Sequence, residues 1–257
     1  MSRPKRRRLG QNYLVDPGVA RRIASLTDPD VPRVLEIGPG RGSLTEPLTE
    51  RFSRILALEL DPSLVPSLQA RFSGPDIEIR HADALTEPLE PLLAAEAPWQ
   101  VASNLPYSVG TAILRRFLPR HDLFTRLVVM LQKEVVDRLV AEPSGKGHGL
   151  IALERAAYAD ARFAFDVPPD AFRPRPKVMS GVVVLDLVTP RHTAAELDAA
   201  FKLASHALTK PRKKMTNALA PLAGVPELEH AGIDPSVRPG TLDLEAWVLL
   251  GQATTKT

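Results

Sequence analysis

Cysteine is absent from this sequence of 257 residues. Its absence excludes disulfide bonds, thiolate metal sites and cysteine nucleophiles together. It also excludes one particular reaction, the methylation of pyrimidine C5 through a covalent cysteine adduct.

Long apolar runs are absent as well. The N-terminus is basic but lacks the apolar core of a signal peptide, and no apolar run approaches the roughly 18 residues of a membrane span. We therefore expect a cytoplasmic protein without membrane association. A hydrophobic fraction of 44% and a charged fraction of 25% are ordinary for a globular protein and indicate neither disorder nor a fibre.

The net charge of +3 conceals two concentrated basic clusters. The first consists of Arg3, Lys5, Arg6, Arg7 and Arg8, and the second of Lys210, Arg212, Lys213 and Lys214. Either cluster alone is typical of a solvated tail or helix end. Two clusters on an otherwise balanced chain indicate a polyanion partner.

Apolar strand patterns alternate with helical patterns through most of the chain. The predicted strands are Val34–Ile37, Ile55–Leu58, Ile77–His81, Val101–Ser103, Leu127–Leu131, Arg162–Val167 and Gly181–Leu187. This alternation predicts an α/β fold with a parallel, doubly wound, Rossmann-like sheet of seven strands. Beyond Pro190 only helical periodicity remains, so we expect a large domain over residues 1–189 and a small α-helical domain over residues 190–257.

A glycine-rich turn follows the first of these strands. Gly38, Gly40 and Gly42 let the backbone turn tightly and approach a ligand, and Ser43 is expected to cap the next helix. The third glycine comes one residue earlier than in a dinucleotide site, and Glu59 ends the next strand, where an acid reaches ribose hydroxyls. The pattern therefore favours a nucleoside cofactor with a cationic tail, such as S-adenosylmethionine, over NAD.

Other strand ends add polar groups to the same edge of the sheet. Gly38, Glu59, Asp83 and Asn104 each come just after a strand, and we expect them to converge on one pocket. Residues 9–16 mix amides with large apolar groups and are expected to cover that pocket. His148 lies in a loop rich in turn formers, residues 143–149, where a solvent-exposed histidine is expected rather than a catalytic one.

The tetrapeptide Asn104-Leu105-Pro106-Tyr107 is the most specific chemical signal. The exocyclic amine of a base is a poor nucleophile because its lone pair is delocalised into the ring. The Asn104 side-chain carbonyl and the backbone carbonyl of Leu105 or Pro106 can accept its two N–H bonds and direct the lone pair at an electrophilic methyl group. Tyr107 offers a face for a flipped base, and no general base or metal ion is needed.

Five segments together resemble the ribosomal RNA adenine N6-dimethyltransferase family. They are Leu9–Leu14, Glu36–Gly42, Asn104–Tyr107, Met130–Leu139 and Phe172–Val178. The resemblance is closest to the branch that dimethylates two adjacent adenosines near the 3′ end of small-subunit ribosomal RNA during subunit maturation. It implies a methyltransferase domain, with an RNA-binding role for the small helical domain, and we expect a monomer that acts on the precursor of the small subunit.

The resemblance also implies roles for single residues. The implied S-adenosylmethionine contacts, with Gly40 added from the glycine turn, are Asn12, Leu14, Gly38, Gly40, Glu59, Asp83 and Asn104. Phe172, on a proline-stiffened loop, is expected to be exposed and to stack on the target base opposite Tyr107. Met179 replaces an acid that is usual in the family, which affects substrate preference rather than chemistry.

Three other functions remain to be weighed. A large-subunit ribosomal RNA adenine methyltransferase of the antibiotic-resistance type shares the chemistry and differs in its target. A noncatalytic RNA-binding assembly factor would show a broken cofactor site, whereas every expected position is filled here. An NAD-dependent dehydrogenase is disfavoured by the glycine spacing.

Overall fold

A computed structural model describes residues 12–145 and 147–255 of the chain. Its strands are β1 (Tyr13–Leu14), β2 (Arg33–Ile37), β3 (Arg54–Glu59), β4 (Ile77–His81), β5 (Trp99–Asn104), β6 (Phe124–Gln132), β7 (Ala159–Val167), β8 (Phe172–Arg173) and β9 (Ser180–Leu187). Its α-helices are α1 (Pro17–Ser25), α2 (Thr45–Thr49), α3 (Val65–Arg71), α4 (Glu90–Leu93), α5 (Gly110–Phe117), α6 (Lys133–Leu139), α7 (Leu150–Tyr158), α8 (Ala194–Leu208), α9 (Met215–Leu219), α10 (Val225–His230) and α11 (Leu244–Thr255).

Seven of the strands form one sheet in the order β4-β3-β2-β5-β6-β9-β7. The predicted seven-stranded sheet is thus confirmed. Strands β2 to β6 pair in parallel, but β9 runs antiparallel to β6, so the expectation of a wholly parallel sheet was wrong. Helices α6 and α7 lie between β6 and β7, but only a short 3₁₀ turn and β8 lie between β7 and β9, so β9 enters the sheet on the return from β7 without a crossover helix.

The central strands are apolar on both faces because helices cover the sheet on both sides. Residues of β2, β3 and β5 are almost all buried, and the five residues from Leu127 to Leu131 in β6 are buried without a break. Continuous burial of this kind is typical of parallel strands in α/β folds. The parallel pairing of β2 to β5 places their carboxyl ends at one edge, where the polar residues follow.

The chain divides into two compact units. The first contains residues 1–136 and 161–188, and the second contains residues 137–160 and 189–257. The sequence analysis placed one boundary near residue 190; the structure divides the chain close to that point and also groups residues 137–160 with the second unit. Helix α7, which the sequence reading had missed, places Leu153 and Ala157 in the same apolar cluster as Leu197 of α8.

A small second sheet pairs the first described residues with a segment far along the chain. Tyr13 lies opposite Arg173, and Leu14 lies opposite Phe172, in an antiparallel ladder. The amide of Val15 extends the ladder by donating to the carbonyl of Ala171 at 2.8 Å. Backbone hydrogen bonds thus hold the first described residues against residues 171–173 within the large unit.

Candidate active site

A cavity of about 310 Å³ opens at the carboxyl ends of β2, β3, β4 and β5. Gly38, Glu59, Asp83 and Asn104 all lie on its wall, so the expected convergence of these four positions is observed. Seven other residues singled out in the sequence also line it: Asn12, Leu14, Gly40, Ser43, Leu105, Pro106 and Tyr107. The volume lies within the range of small-molecule sites, about 300–1,000 Å³.

The glycine turn forms one side of the cavity and is held against β1. Gly38 and Gly40 have φ values of +66° and +61°, which favour glycine strongly. A Cβ atom on Gly40 would lie 2.9 Å from the Tyr13 ring, so only glycine allows β1 to pack this closely. Ser43 donates to the carbonyl of Leu14 at 2.6 Å and does not cap α2, which corrects the sequence prediction.

Glu59 is buried at the end of β3, with 1% of its surface exposed. Its two carboxylate oxygens accept the amides of Gly40, at 2.9 Å, and of Asp61, at 2.8 Å. Burial raises the pKa of Glu59, while these amides lower it. Each oxygen keeps a second lone pair, so a ribose hydroxyl can still donate to this carboxylate.

A second buried carboxyl, Glu36 in β2, also lines the cavity. It is 1% exposed and accepts a hydrogen bond from the Thr45 hydroxyl at 2.7 Å. Burial raises its pKa to about 8; the Thr45 bond opposes this shift, and the negative charge of Glu59 adds to it. An acid inside an otherwise apolar strand is a signal that the sequence carries for this position.

Asn104 is oriented by a bond to the segment that covers the cavity. Its Nδ2 group donates to the carbonyl of Asn12 at 3.3 Å, which leaves Oδ1 as a hydrogen-bond acceptor. The Pro106 carbonyl accepts the amides of Val109 and Gly110 at the start of α5, at 3.1 and 2.8 Å. Of the two backbone carbonyls considered from the sequence, that of Leu105 is therefore the better placed to accept from a substrate.

Tyr107 is half-buried and is fixed by the first residue of β9, which lies beside the carboxyl end of β6. Its Oη atom lies 2.5 Å from Oγ of Ser180, the fully buried first residue of β9. Burial raises the pKa of Tyr107 and the Ser180 bond lowers it. Ser180 was not predicted, and nothing in its local sequence indicated that it would meet a tyrosine 73 residues away.

Phe172 does not lie where the sequence reading expected it. Its ring is fully buried in the apolar cluster that contains Leu14, Val182 and Val184, and it is not part of the cavity wall. The expected exposed ring was wrong, because backbone pairing with Leu14 turns this side chain into the core. In this conformation Phe172 supports the covering strand β1 and offers no face to a base opposite Tyr107.

Outside the cavity, the residues of the second basic cluster differ in their exposure and hydrogen bonding. Arg212, Lys213 and Lys214 are exposed, whereas the ammonium group of Lys210 lies 3.4 Å from the Ala218 carbonyl it donates to. The first basic cluster lies outside the described residues. His148 is half-buried rather than exposed, with its ring nitrogens 3.4 and 3.2 Å from the carbonyls of Ala141 and Leu242, and it is not among the residues that line the cavity.

Neither a metal site nor a membrane-spanning helix is found in the part of the chain that the structure describes. No group of histidine, aspartate and glutamate side chains there could hold a metal ion. No helix there is long and apolar enough to cross a membrane.

A comparison with family models decides the relationship that this geometry suggests. The model described as ribosomal RNA adenine dimethylase matches residues 3–251. The chain belongs to the ribosomal RNA adenine dimethylase family. The resemblance inferred from the five sequence segments is thereby confirmed, and ribosomal RNA is the substrate of this dimethylase.

Relatives of this dimethylase agree over nearly their whole length. A protein of Geobacter metallireducens named ribosomal RNA small subunit methyltransferase A is 42% identical, with 96% of this chain and 94% of the relative covered. A protein of the same name from Pseudomonas aeruginosa is 36% identical, with 95% and 92% covered.

Solved structures show the same fold. The crystal structure of the 23S rRNA methyltransferase ErmE matches with a TM-score of 0.70 at 25% identity, covering 95% of this dimethylase and all of that chain. A dimethyladenosine transferase from Plasmodium falciparum matches with a TM-score of 0.76 at 20% identity, covering 92% and 95%.

Proposed function

We propose that this dimethylase uses S-adenosylmethionine to dimethylate N6 of two adjacent adenosines near the 3′ end of small-subunit (16S) ribosomal RNA. It acts in the cytoplasm, as a monomer, on the precursor of the small ribosomal subunit. The choice of target is supported by relatives named small subunit methyltransferase A at 36–42% identity, against 25% for the 23S enzyme. The large-subunit alternative is correspondingly weaker.

The cavity suits S-adenosylmethionine because its carboxyls lack a cationic side-chain partner. Glu36 and Glu59 line the wall, and no ion pair engages either of them within residues 12–145 and 147–255. A ligand that carries positive charge and ribose hydroxyls would satisfy both. We assign Glu59 to the ribose, Asp83 to the adenine amine, and Asn12, Leu14, Gly38 and Gly40 to the remaining contacts.

The observation that carries the chemistry is the orientation of Asn104. Its Nδ2 group is committed to Asn12, so Oδ1 accepts one N–H of the target amine while the Leu105 carbonyl accepts the other. With both N–H bonds held, the nitrogen lone pair points at the electrophilic methyl group that S-adenosylmethionine supplies. The methylated nitrogen loses its proton to water, and Tyr107 holds the base by stacking.

The experiment that tests this function uses small ribosomal subunits that lack the dimethylation. The protein is incubated with them and with cofactor carrying a labelled methyl group, and modified bases are mapped by mass spectrometry. We expect two adjacent dimethylated adenosines near the 3′ end. Label in large-subunit RNA instead would support the rival target, and absence of label in either RNA would support the noncatalytic assembly factor.

A further inference from the structure

Residues 173–179, here called the rim segment, connect two residues, Phe172 and Ser180, that each contact a residue of the cavity wall. On one side, Phe172 pairs with Leu14, which lines the cavity. On the other side, Ser180 is hydrogen-bonded to Tyr107, which also lines it. The rim segment therefore passes the opening beside the ring that we assign to the target base.

The rim segment presents a mixed cationic and apolar surface to solvent. Arg173, Arg175 and Lys177 are exposed, and they are followed by Val178 and Met179, which are 45% and 40% exposed. These two side chains place a small apolar surface directly beside the cations. Prolines at 174 and 176 restrict the backbone, so little conformational entropy is lost when a partner binds.

The charges on the rim segment are only partly neutralised. Arg175 pairs with the Asp170 carboxylate at 2.9 Å. The Arg173 guanidinium instead donates to two neutral carbonyls, those of Phe172 at 2.8 Å and Asp170 at 3.1 Å, which hold it in place and leave its charge uncompensated. Lys177 has no carboxylate partner within the described residues.

We propose that the rim segment binds the single RNA strand next to the target adenosine. Arg173 and Lys177 contact its phosphates, and Val178 and Met179 pack against the neighbouring base. Alternation of cations with apolar surface fits an unpaired strand, which offers phosphates and base faces together. This inference rests on the proposed function and adds to it the surface that positions the RNA at the cavity.

The decisive variant neutralises both free cations, Arg173→Gln with Lys177→Gln. For a single strand, log K falls with log salt by about 0.7 for each phosphate contact, so losing two contacts should reduce the slope by about 1.4. If the contribution vanishes at 1 M salt, binding should weaken about 14-fold at 150 mM salt and about 70-fold at 50 mM. S-adenosylmethionine affinity and kcat at saturating RNA should stay at the wild-type level.

Two matched controls separate charge from folding. Arg173→Lys with Lys177→Arg keeps both charges and should retain the wild-type slope. Arg51→Gln removes an exposed charge of the same unit before β3, at the opposite end of the sheet, and should also leave the slope unchanged. A third variant, Val178→Ser with Met179→Ser, should raise KM for RNA several-fold without changing the slope.

The measurements are RNA binding across a salt series, using unmethylated small-subunit RNA, together with methyl transfer to small subunits. A wild-type slope in the Arg173→Gln, Lys177→Gln variant, with the wild-type enzyme active, would overturn this inference and leave the proposed function standing. Wild-type protein that fails to methylate small-subunit RNA would overturn the proposed function and this inference with it.

Discussion

Replacing Glu36 by glutamine should change how the stability of the protein depends on pH. Burial raises the pKa of Glu36 to about 8, so the folded protein keeps a proton that the unfolded chain releases near 4.5. The stability from this protonated carboxyl is fully present below about pH 4.5 and is lost as pH rises through about 8. Glutamine cannot titrate, yet it can still accept the hydrogen bond of Thr45.

The magnitude follows from the two pKa values. A shift of one unit corresponds to about 1.4 kcal/mol, and the part of this shift that falls between pH 5 and pH 8 amounts to about 3 kcal/mol. Wild-type protein without cofactor should therefore lose about 3 kcal/mol more unfolding free energy than Glu36→Gln between these pH values.

Urea unfolding at pH 5, 6, 7 and 8 measures this difference. The chain has two tryptophans, and Trp99 reports on the large unit alone once Trp247, whose buried indole N–H has no hydrogen-bond partner among the described residues, is replaced by phenylalanine. The exposed carboxylate of Glu50 provides the control, since Glu50→Gln should track the wild type. Parallel pH curves for Glu36→Gln and wild type would refute the reasoning.

Calorimetry adds a second readout to the same variant. Positive charge on S-adenosylmethionine next to Glu36 favours the charged carboxylate, so binding at pH 7 should release close to one proton from the wild type. Titrations in buffers of different ionisation enthalpy should show this release, and Glu36→Gln should show none. Equal proton release from both proteins would mean that the released proton comes from a group other than Glu36.

Four further changes test the rest of the site. Asn104→Ala should lower kcat roughly 10²-fold with cofactor affinity retained, in methyl-transfer and titration assays. Gly40→Ala should weaken cofactor binding, because an alanine at φ +61° is strained by about 1–2 kcal/mol and its Cβ would lie 2.9 Å from the Tyr13 ring in β1. Phe172→Ala should lower the unfolding free energy by about 3–5 kcal/mol in urea titrations, the opposite of what an exposed stacking ring would give. Ser180→Ala should raise KM for RNA in the wild type but have no effect once Tyr107 is phenylalanine; equal effects in both backgrounds would mean that the serine does not act through the tyrosine.

The buried strands of the sheet and the polar residues that follow them could be predicted from short stretches of the sequence. The strands that lead to Gly38, Glu59 and Asn104 were recognisable because continuous burial in a parallel sheet leaves an uninterrupted apolar run. The polar residues after them were recognisable because strand ends in such sheets face one edge. The position of this cavity could therefore be predicted without a structure.

Features that depend on distant pairing could not be predicted in this way. Phe172 is followed by an alternation of prolines and cations that is typical of an exposed loop, and only its pairing with Leu14 buries it. Helix α7 was missed since its apolar face packs on helices that begin more than 30 residues later. Ser180 was missed for the same reason, because a serine at a strand start has no local pattern that identifies its partner.

The pairing of β1 with β8 also affects when the protein becomes able to bind its cofactor during synthesis. Leu14 belongs to the cavity wall, yet its strand partner Phe172 is 158 residues further along the chain. Contacts of such long sequence separation form late, because the loop between them must be closed first. A nascent chain that has emerged only through β6 already carries the glycine turn, Glu59 and Asn104, but its N-terminal residues have nothing to pair with. Cofactor binding should therefore begin only after β8 has emerged from the ribosome, so truncated products of translation would not sequester S-adenosylmethionine.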